Sequence, residues 1–126
     1  MANEITLTAG LAATKTVAAI NSGTMTKQLT MTGAEMIAVT KLFPADGNGL
    51  ALNFGLITGA PGAVMVKNLD AANPVTFSIG HTSGFDAGRF AILRAGAVMI
   101  FQPYADLVYA KATTAAVRLQ IWSVEL

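Results

Sequence analysis

Apolar and polar residues alternate along this chain in short runs, each stopped by glycine, proline or an Asn/Asp cluster. Alternation with a period of two marks a strand with one buried face, because successive side chains leave a strand on opposite sides. Residues 4–9 alternate and end at Gly10. Residues 24–32 put Met25, Leu29 and Met31 on one face. Thr24, Thr26, Gln28, Thr30 and Thr32 fall on the other, with the β-branched character that strands favour. Further strands are expected over 35–40, 50–57, 89–94, 97–101, 107–110 and 116–124. In the last of these, Val117, Leu119 and Ile121 alternate with Arg118, Gln120 and Trp122. The alanine-rich segment 11–20 is expected to make a helical turn, although Thr14, Thr16 and Val17 weaken it. Turn clusters fall at 43–49 and 59–62, and the polar, glycine-rich segment 81–88 reads as an exposed loop.

The remaining apolar runs flank Asp70-Ala71-Ala72-Asn73 and read as one hairpin over residues 62–80. With those four residues as the loop, Leu69 faces Pro74, Asn68 faces Val75, Val66 faces Phe77 and Val64 faces Ile79. Val64, Val66, Val75, Phe77 and Ile79 then share one face, and Met65, Lys67, Thr76 and Ser78 the other. Asp and Asn suit the ends of such a loop because their side chains hydrogen-bond the local backbone. Pro74 has no backbone donor and must open its strand or lie on an edge.

Nine or ten short strands at roughly 8–12-residue spacing, with no amphipathic helix of useful length, predict an all-β fold. The expected architecture is a jelly-roll-like antiparallel β-sandwich of about 8–10 short strands. Residues 1–126 read as a single β-sandwich domain, with residues 1–20 a candidate N-terminal arm. A chain of 126 residues suffices for one core that buries about two-thirds of its unfolded surface.

Charge adds a constraint. Eight basic and seven acidic residues give a net charge of +1, which carries no polyanion-binding balance. Charged residues are 12% of the chain, half the usual ~25%, and 53% are hydrophobic. A monomer so poor in charge is short of polar surface, which points to apolar surface buried against other chains. An alanine-rich monomer is the plain alternative. The absence of cysteine excludes disulfides, thiolate zinc sites and a cysteine nucleophile, and leaves the redox compartment undecided. The start of the chain has no basic region followed by an apolar run, so no signal peptide is expected. The longest uncharged stretch, residues 47–66, is broken by Gly55, Gly59, Pro61 and Gly62, and reads as two strands and a turn rather than a membrane span.

Candidate chemistry is sparse. His81 is the single histidine, and Ser83 and Asp86 lie beside it, but a catalytic triad assembles in space rather than along one loop. The carboxylates Glu4, Glu35, Asp46, Asp70, Asp86, Asp106 and Glu125 do not pair at short spacing. Residues 46–49 lack the alternating acids and terminal glutamate of a calcium loop. Asn68, Asp70 and Asn73 raise the question of an ion, but mutual and backbone hydrogen bonds satisfy them without one. No glycine-rich phosphate loop occurs. Phe77, Phe85, Phe90, Phe101, Tyr104 and Tyr109 could build a stacking surface, against a default of core packing. Lys67, Arg89, Arg94, Lys111 and Arg118 are scattered, which argues against nucleic acid. Trp122, opposite the apolar set of its strand, is the aromatic best placed for a subunit contact, with core placement the alternative. No catalytic, cofactor-binding or metal-ligating residue is nominated.

The second half carries a recognisable series: Val66-Lys-Asn-Leu-Asp70, Asn73-Pro-Val75, Ile79-Gly80, Phe90-Ala-Ile-Leu-Arg-Ala-Gly96, Phe101 and Tyr109-Ala-Lys-Ala-Thr-Thr-Ala-Ala-Val117. It resembles small β-rich structural proteins of tailed bacteriophages, closely over residues 60–126 and loosely over 24–60. Ala97 departs from the pattern, which often has an acidic residue after the Ala-Gly corner. The resemblance implies a virion structural protein, not an enzyme and without cofactors. The first expectation is a capsid decoration (cement) subunit at the capsid surface, made in the host cytoplasm. Its partners would be itself, as a homo-oligomer with a trimer among the options, and the major capsid protein or another virion protein. Neither nucleic acid nor membrane is expected as a partner. A tail or head–tail component is the near alternative. A carbohydrate-binding adhesion module using the aromatics and the 81–88 loop, and a small hydrolase, are the alternatives from other classes.

Overall fold

The computed structural model describes residues 5–16, 18–29, 36–52, 61–79, 85–103 and 108–125. Among them are ten strands. Two form a separate hairpin, β1 (Ile5–Lys15) and β2 (Ala18–Leu29). The other eight are β3 (Met36–Phe43), β4 (Leu50–Ala51), β5 (Pro61–Asn68), β6 (Val75–Ile79), β7 (Arg89–Leu93), β8 (Val98–Phe101), β9 (Val108–Ala112) and β10 (Val117–Glu125). These pair as a rolled-up long hairpin does: β3 with β10, β4 with β9, β5 with β8, β6 with β7. Rolling brings β10 beside β5 and β9 beside β6, so the two sheets run β3-β10-β5-β8 and β4-β9-β6-β7, antiparallel throughout. The eight strands are a jelly roll, as the strand spacing led one to expect.

The core lies between the sheets. In β10, Val117, Leu119, Ile121 and Ser123 point inward while Arg118, Gln120, Trp122 and Val124 point out. Phe43, Leu52, Val64, Val66, Val75, Phe77, Leu93 and Val108 meet the inward set, and Ala110 and Ala112 let the sheets approach closely. Phe90 lies at the open edge between β7 and β8, its ring 6.3 Å from that of Phe77 and 6.1 Å from that of Phe101.

The expected hairpin over 62–80 is corrected. Its two strands do not pair. β5 belongs to one sheet and β6 to the other, so Val66 and Phe77 are buried across the core from each other rather than side by side in a ladder. The residues of the loop are nonetheless its fasteners. Asp70 Oδ1 accepts from the backbone N–H groups of Ala72 (2.8 Å) and Asn73 (2.7 Å) and from Asn73 Nδ2 (3.2 Å). Asn68, fully buried, accepts from the Asp70 N–H at 2.9 Å through Oδ1. Its Nδ2 donates to the carbonyls of Asn73 (2.9 Å) and Leu93 (3.2 Å). One side chain thus ties the arch to the end of a strand in the opposite sheet. The neighbouring corner, residues 94–97, is closed by the Ala97 N–H to the Arg94 carbonyl at 3.1 Å, with Gly96 at φ 71° in the position where a type II turn requires it.

Three smaller expectations also change. Segment 11–20 is strand on both sides of a turn at Thr16, because pairing of β1 with β2 overrides alanine's helical propensity. Pro61 and Gly62 begin β5 instead of forming a turn. Phe85 is buried, not exposed: residues Phe85–Gly88 form a 3-10 turn that packs on the outer face of β6, where Ser78 Oγ donates to the Phe85 carbonyl at 2.7 Å. The expected strand at 50–57 is seen at Leu50–Ala51, and residues 53–60 lie outside the described ones.

Candidate association surface

Register determines what the β1–β2 hairpin presents. Ile5, Leu7 and Ala9 stand opposite Leu29, Lys27 and Met25, and cross-strand partners share a face. Thr6 and Thr8 stand opposite Gln28 and Thr26 on the other face. Between Gly10 and Ala12 the register slips, with one extra residue in β2. Gly23 takes φ 67° there, the Leu11 N–H donates to Ser22 Oγ (2.8 Å), and the Gly23 N–H donates to Asn21 Oδ1 (2.8 Å). Beyond the slip Ala13 faces Ile20. Without that bulge Ile20 would oppose Thr14 and fall on the threonine face. The bulge therefore keeps one face largely apolar: Ile5, Leu7, Ala9, Leu11 and Ala13 from β1, with Ile20, Met25 and Leu29 from β2, interrupted by Lys27 opposite Leu7.

Much of that face is uncovered. Leu11, Ile20 and Met25 are 65%, 63% and 61% exposed. Among the described residues, the root of the hairpin borders the body, over the outer face of the β3-β10-β5-β8 sheet. There the outward residues form an apolar row, Ala38-Trp122-Met65-Ile100, with Met36-Val124-Ala63 beside it. Ile5 and Leu7 border a cleft of about 180 Å³ with Met65, Ile100, Trp122 and Val124. A second cleft, about 290 Å³, is lined by Leu7, Ala9, Met25 and Ile100 together with Thr8, Thr26 and Lys27. Leu7 and Ile100 line both. The result is an apolar inside corner running from the sheet onto the hairpin. Trp122 lies half-buried in the outward row, and Met36 and Val98 continue the exposed apolar surface.

The opposite sheet is different in character. Phe85, Asp86, Arg89, Lys111, Thr76 and Thr113 line a groove of about 210 Å³. Asp86 lies 3.5 Å from Arg89, with both side chains largely exposed, a pair worth little in water. Mixed charge of this kind makes no anion site.

The sequence-derived candidates for chemistry do not converge. His81 and Ser83 lie outside the described residues, as do Glu4, Glu35, Asp106 and Tyr104. Among the described residues no three metal-binding side chains cluster. Asn68, Asp70 and Asn73 are committed to each other and to backbone groups. The Asp70 carboxyl is held below its ordinary value, chiefly by the N–H of Asn73 and then that of Ala72, against a smaller opposing effect of burial. Phe77 and Phe85 are buried and supply no stacking platform. No described helix is long and apolar enough to cross a membrane. Sequence reasoning missed the amphipathic hairpin, whose signal was Asn21-Ser22-Gly23, a bulge motif between two alternating runs.

These features define the chain as an all-β jelly-roll protein with a two-stranded, one-face-apolar hairpin outside its two sheets. No protein-family model, curated protein or solved structure matches it.

Proposed function

We propose that this protein is a non-enzymatic structural subunit that acts by non-covalent association, as a decoration (cement) subunit on a bacteriophage capsid. The observation that carries the reading is the uncovered apolar face of the β1–β2 hairpin. An isolated two-stranded hairpin is marginal in water, and a third strand or a packed face is needed to stabilise it. A chain that keeps such a hairpin in register through a specific bulge has a use for its apolar side. Contiguous exposed apolar surface on a small protein marks an interaction site. The low charge, the jelly roll that recurs in capsid domains, and the series over residues 60–126 support the same reading. Fold analogy alone would be a weak guide, so the hairpin and the apolar sheet face carry more of the argument.

Quantitative mass spectrometry of purified virions tests the proposal. A cement subunit is present in a fixed ratio to the major capsid protein, at hundreds of copies or comparable abundance. A handful of copies per particle would favour the head–tail component instead. Absence from particles would overturn the reading.

A further inference from the structure

We infer that Asn48 is a spontaneous modification site: its side-chain amide closes onto the Gly49 nitrogen, and the resulting isoaspartyl link loosens the corner that holds β4 on the body. This holds whether or not the chain is an associating subunit.

Ring closure needs an asparagine side chain free to turn and a following nitrogen that no side chain crowds. Asn48-Gly49 is the one Asn-Gly pair in the chain. Glycine supplies the open nitrogen, since it has no Cβ and its backbone turns most freely. Asn48 is exposed in a turn between Gly47 at φ 65° and Gly49 at φ 76°. The other described asparagines are worse placed. Asn21 precedes Ser22, and its Oδ1 is held by the Gly23 N–H. Asn68 is fully buried and precedes Leu69. Asn73 precedes Pro74, whose nitrogen has no proton to lose.

The chemistry requires only water and base. Base removes the proton from the Gly49 nitrogen, which attacks Cγ of Asn48. The bond from Cγ to Nδ2 breaks, and Nδ2 takes up a proton and leaves as ammonia. Water then opens the cyclic imide. Attack at the side-chain carbonyl restores the ordinary backbone and leaves aspartate. Attack at the main-chain carbonyl leaves isoaspartate, in which the chain runs through Cγ and the backbone is one carbon longer. Both products carry a new negative charge.

The corner has no slack for the added carbon. A Cβ at Gly49 would lie 2.7 Å from the Ala110 carbonyl oxygen and 3.0 Å from the Phe85 ring, so this backbone sits hard against β9 and the 3-10 turn. The strand that follows is short. β4 pairs Leu50 with Ala110 and Ala51 with Tyr109, and the Leu52 N–H donates to the Val108 carbonyl at 2.8 Å. Lys41 Nζ adds one bond to the Ala51 carbonyl at 2.9 Å. A segment held by so few bonds opens locally before the rest of the sheet. Lengthening its entry corner therefore loosens β4 and the Phe85 turn together.

Incubation of the full chain in mildly alkaline buffer, followed by peptide mass spectrometry, tests the site. Asn48 should exchange its amide NH2 for OH at least tenfold faster than Asn21, Asn68 or Asn73, since none of these precedes glycine. Part of the product should accept a methyl group from an isoaspartate-specific methyltransferase, and Asn48→Ala should abolish both signals. An intact Asn48, or another asparagine converting first, would overturn the site. Amide hydrogen exchange of the separated isoaspartyl form tests the consequence against Asn48→Asp, which carries the charge on a backbone of ordinary length. The isoaspartyl form should exchange faster over residues 50–52 and 85–88, and Asn48→Asp should match the parent there. Equal exchange in all three chains, or equal quickening in both charged forms, would overturn the role of the added carbon.

Discussion

Asn68 is the residue on which the body's closure turns. It is fully buried, yet each of its polar atoms is used: Oδ1 by the Asp70 N–H, Nδ2 by the carbonyls of Asn73 and Leu93. Replacing it by alanine strands a buried carbonyl and frees the arch. Each unsatisfied buried group costs about 1–3 kcal/mol, so Asn68→Ala should lose about 3 kcal/mol in a urea titration. Leucine, which fills the space without the hydrogen bonds, should fare no better. Asp70 has a different signature. Its folded carboxyl is held below its ordinary value by the N–H groups of Asn73 and Ala72. A depressed folded pKa contributes stability that is present above the unfolded value and is lost as pH falls through the folded one. Asp70→Ala should therefore lower the melting temperature at neutral pH, and the gap from the parent should close on acidification below about pH 4. A gap that stays constant into acid would show that the carboxylate's charge plays no part. The use of these Asx side chains as loop fasteners was legible in the sequence, because short polar side chains beside a turn have few other partners. That Asn68 also reaches Leu93 was not legible, since that contact depends on which sheet each strand joins.

Strand faces were read more reliably than strand partners, and the reason is geometric. Alternation fixes the side to which Val64, Val66, Val75 and Phe77 point, and all four are buried. It says nothing about whether consecutive strands pair or switch sheets, and in a jelly roll β5 and β6 switch. Ile79, the last residue of β6, escapes burial at the strand end. Phe85 was misjudged for a related reason: a glycine-rich loop looks solvated until a 3-10 turn folds it onto Ser78. The β1–β2 hairpin shows the same limit at the level of register, where one extra residue at Gly23 decides the face of Ile20. Gly23→Val should strain the bulge by about 1–2 kcal/mol, since a β-branched residue resists positive φ. Amide hydrogen exchange should then quicken along β1 and β2 while β10 stays protected. Removal of residues 1–29 should leave the body folded, with a melting point lowered by only the loss of the contacts of Ile5 and Leu7. Loss of all cooperative unfolding in that deletion would place the hairpin in the core.

At the scale of the whole molecule, the two outer faces differ chiefly in what lies beside them. The β4-β9-β6-β7 sheet is mixed, with the 3-10 turn, Asp86, Arg89 and Lys111 beside exposed Leu50, Ile79, Phe90 and Ile92. The β3-β10-β5-β8 sheet carries Trp122, Met65 and Ile100 at the end that borders the hairpin, and Lys67, Arg118 and Gln120 at the other. The sandwich architecture was legible from the spacing of short strands, and the low charge pointed to burial against neighbours. The location of the exposed apolar surface was hidden, because it depends on the hairpin's register and on which strand faces turn outward. The most direct measurement is incorporation of the Leu11→Lys, Ile20→Lys variant into assembling phage particles in competition with the parent chain. The parent should be taken up and the variant excluded by at least tenfold, although both bodies melt alike. Equal uptake of the two chains would contradict an association built on the apolar face of the hairpin.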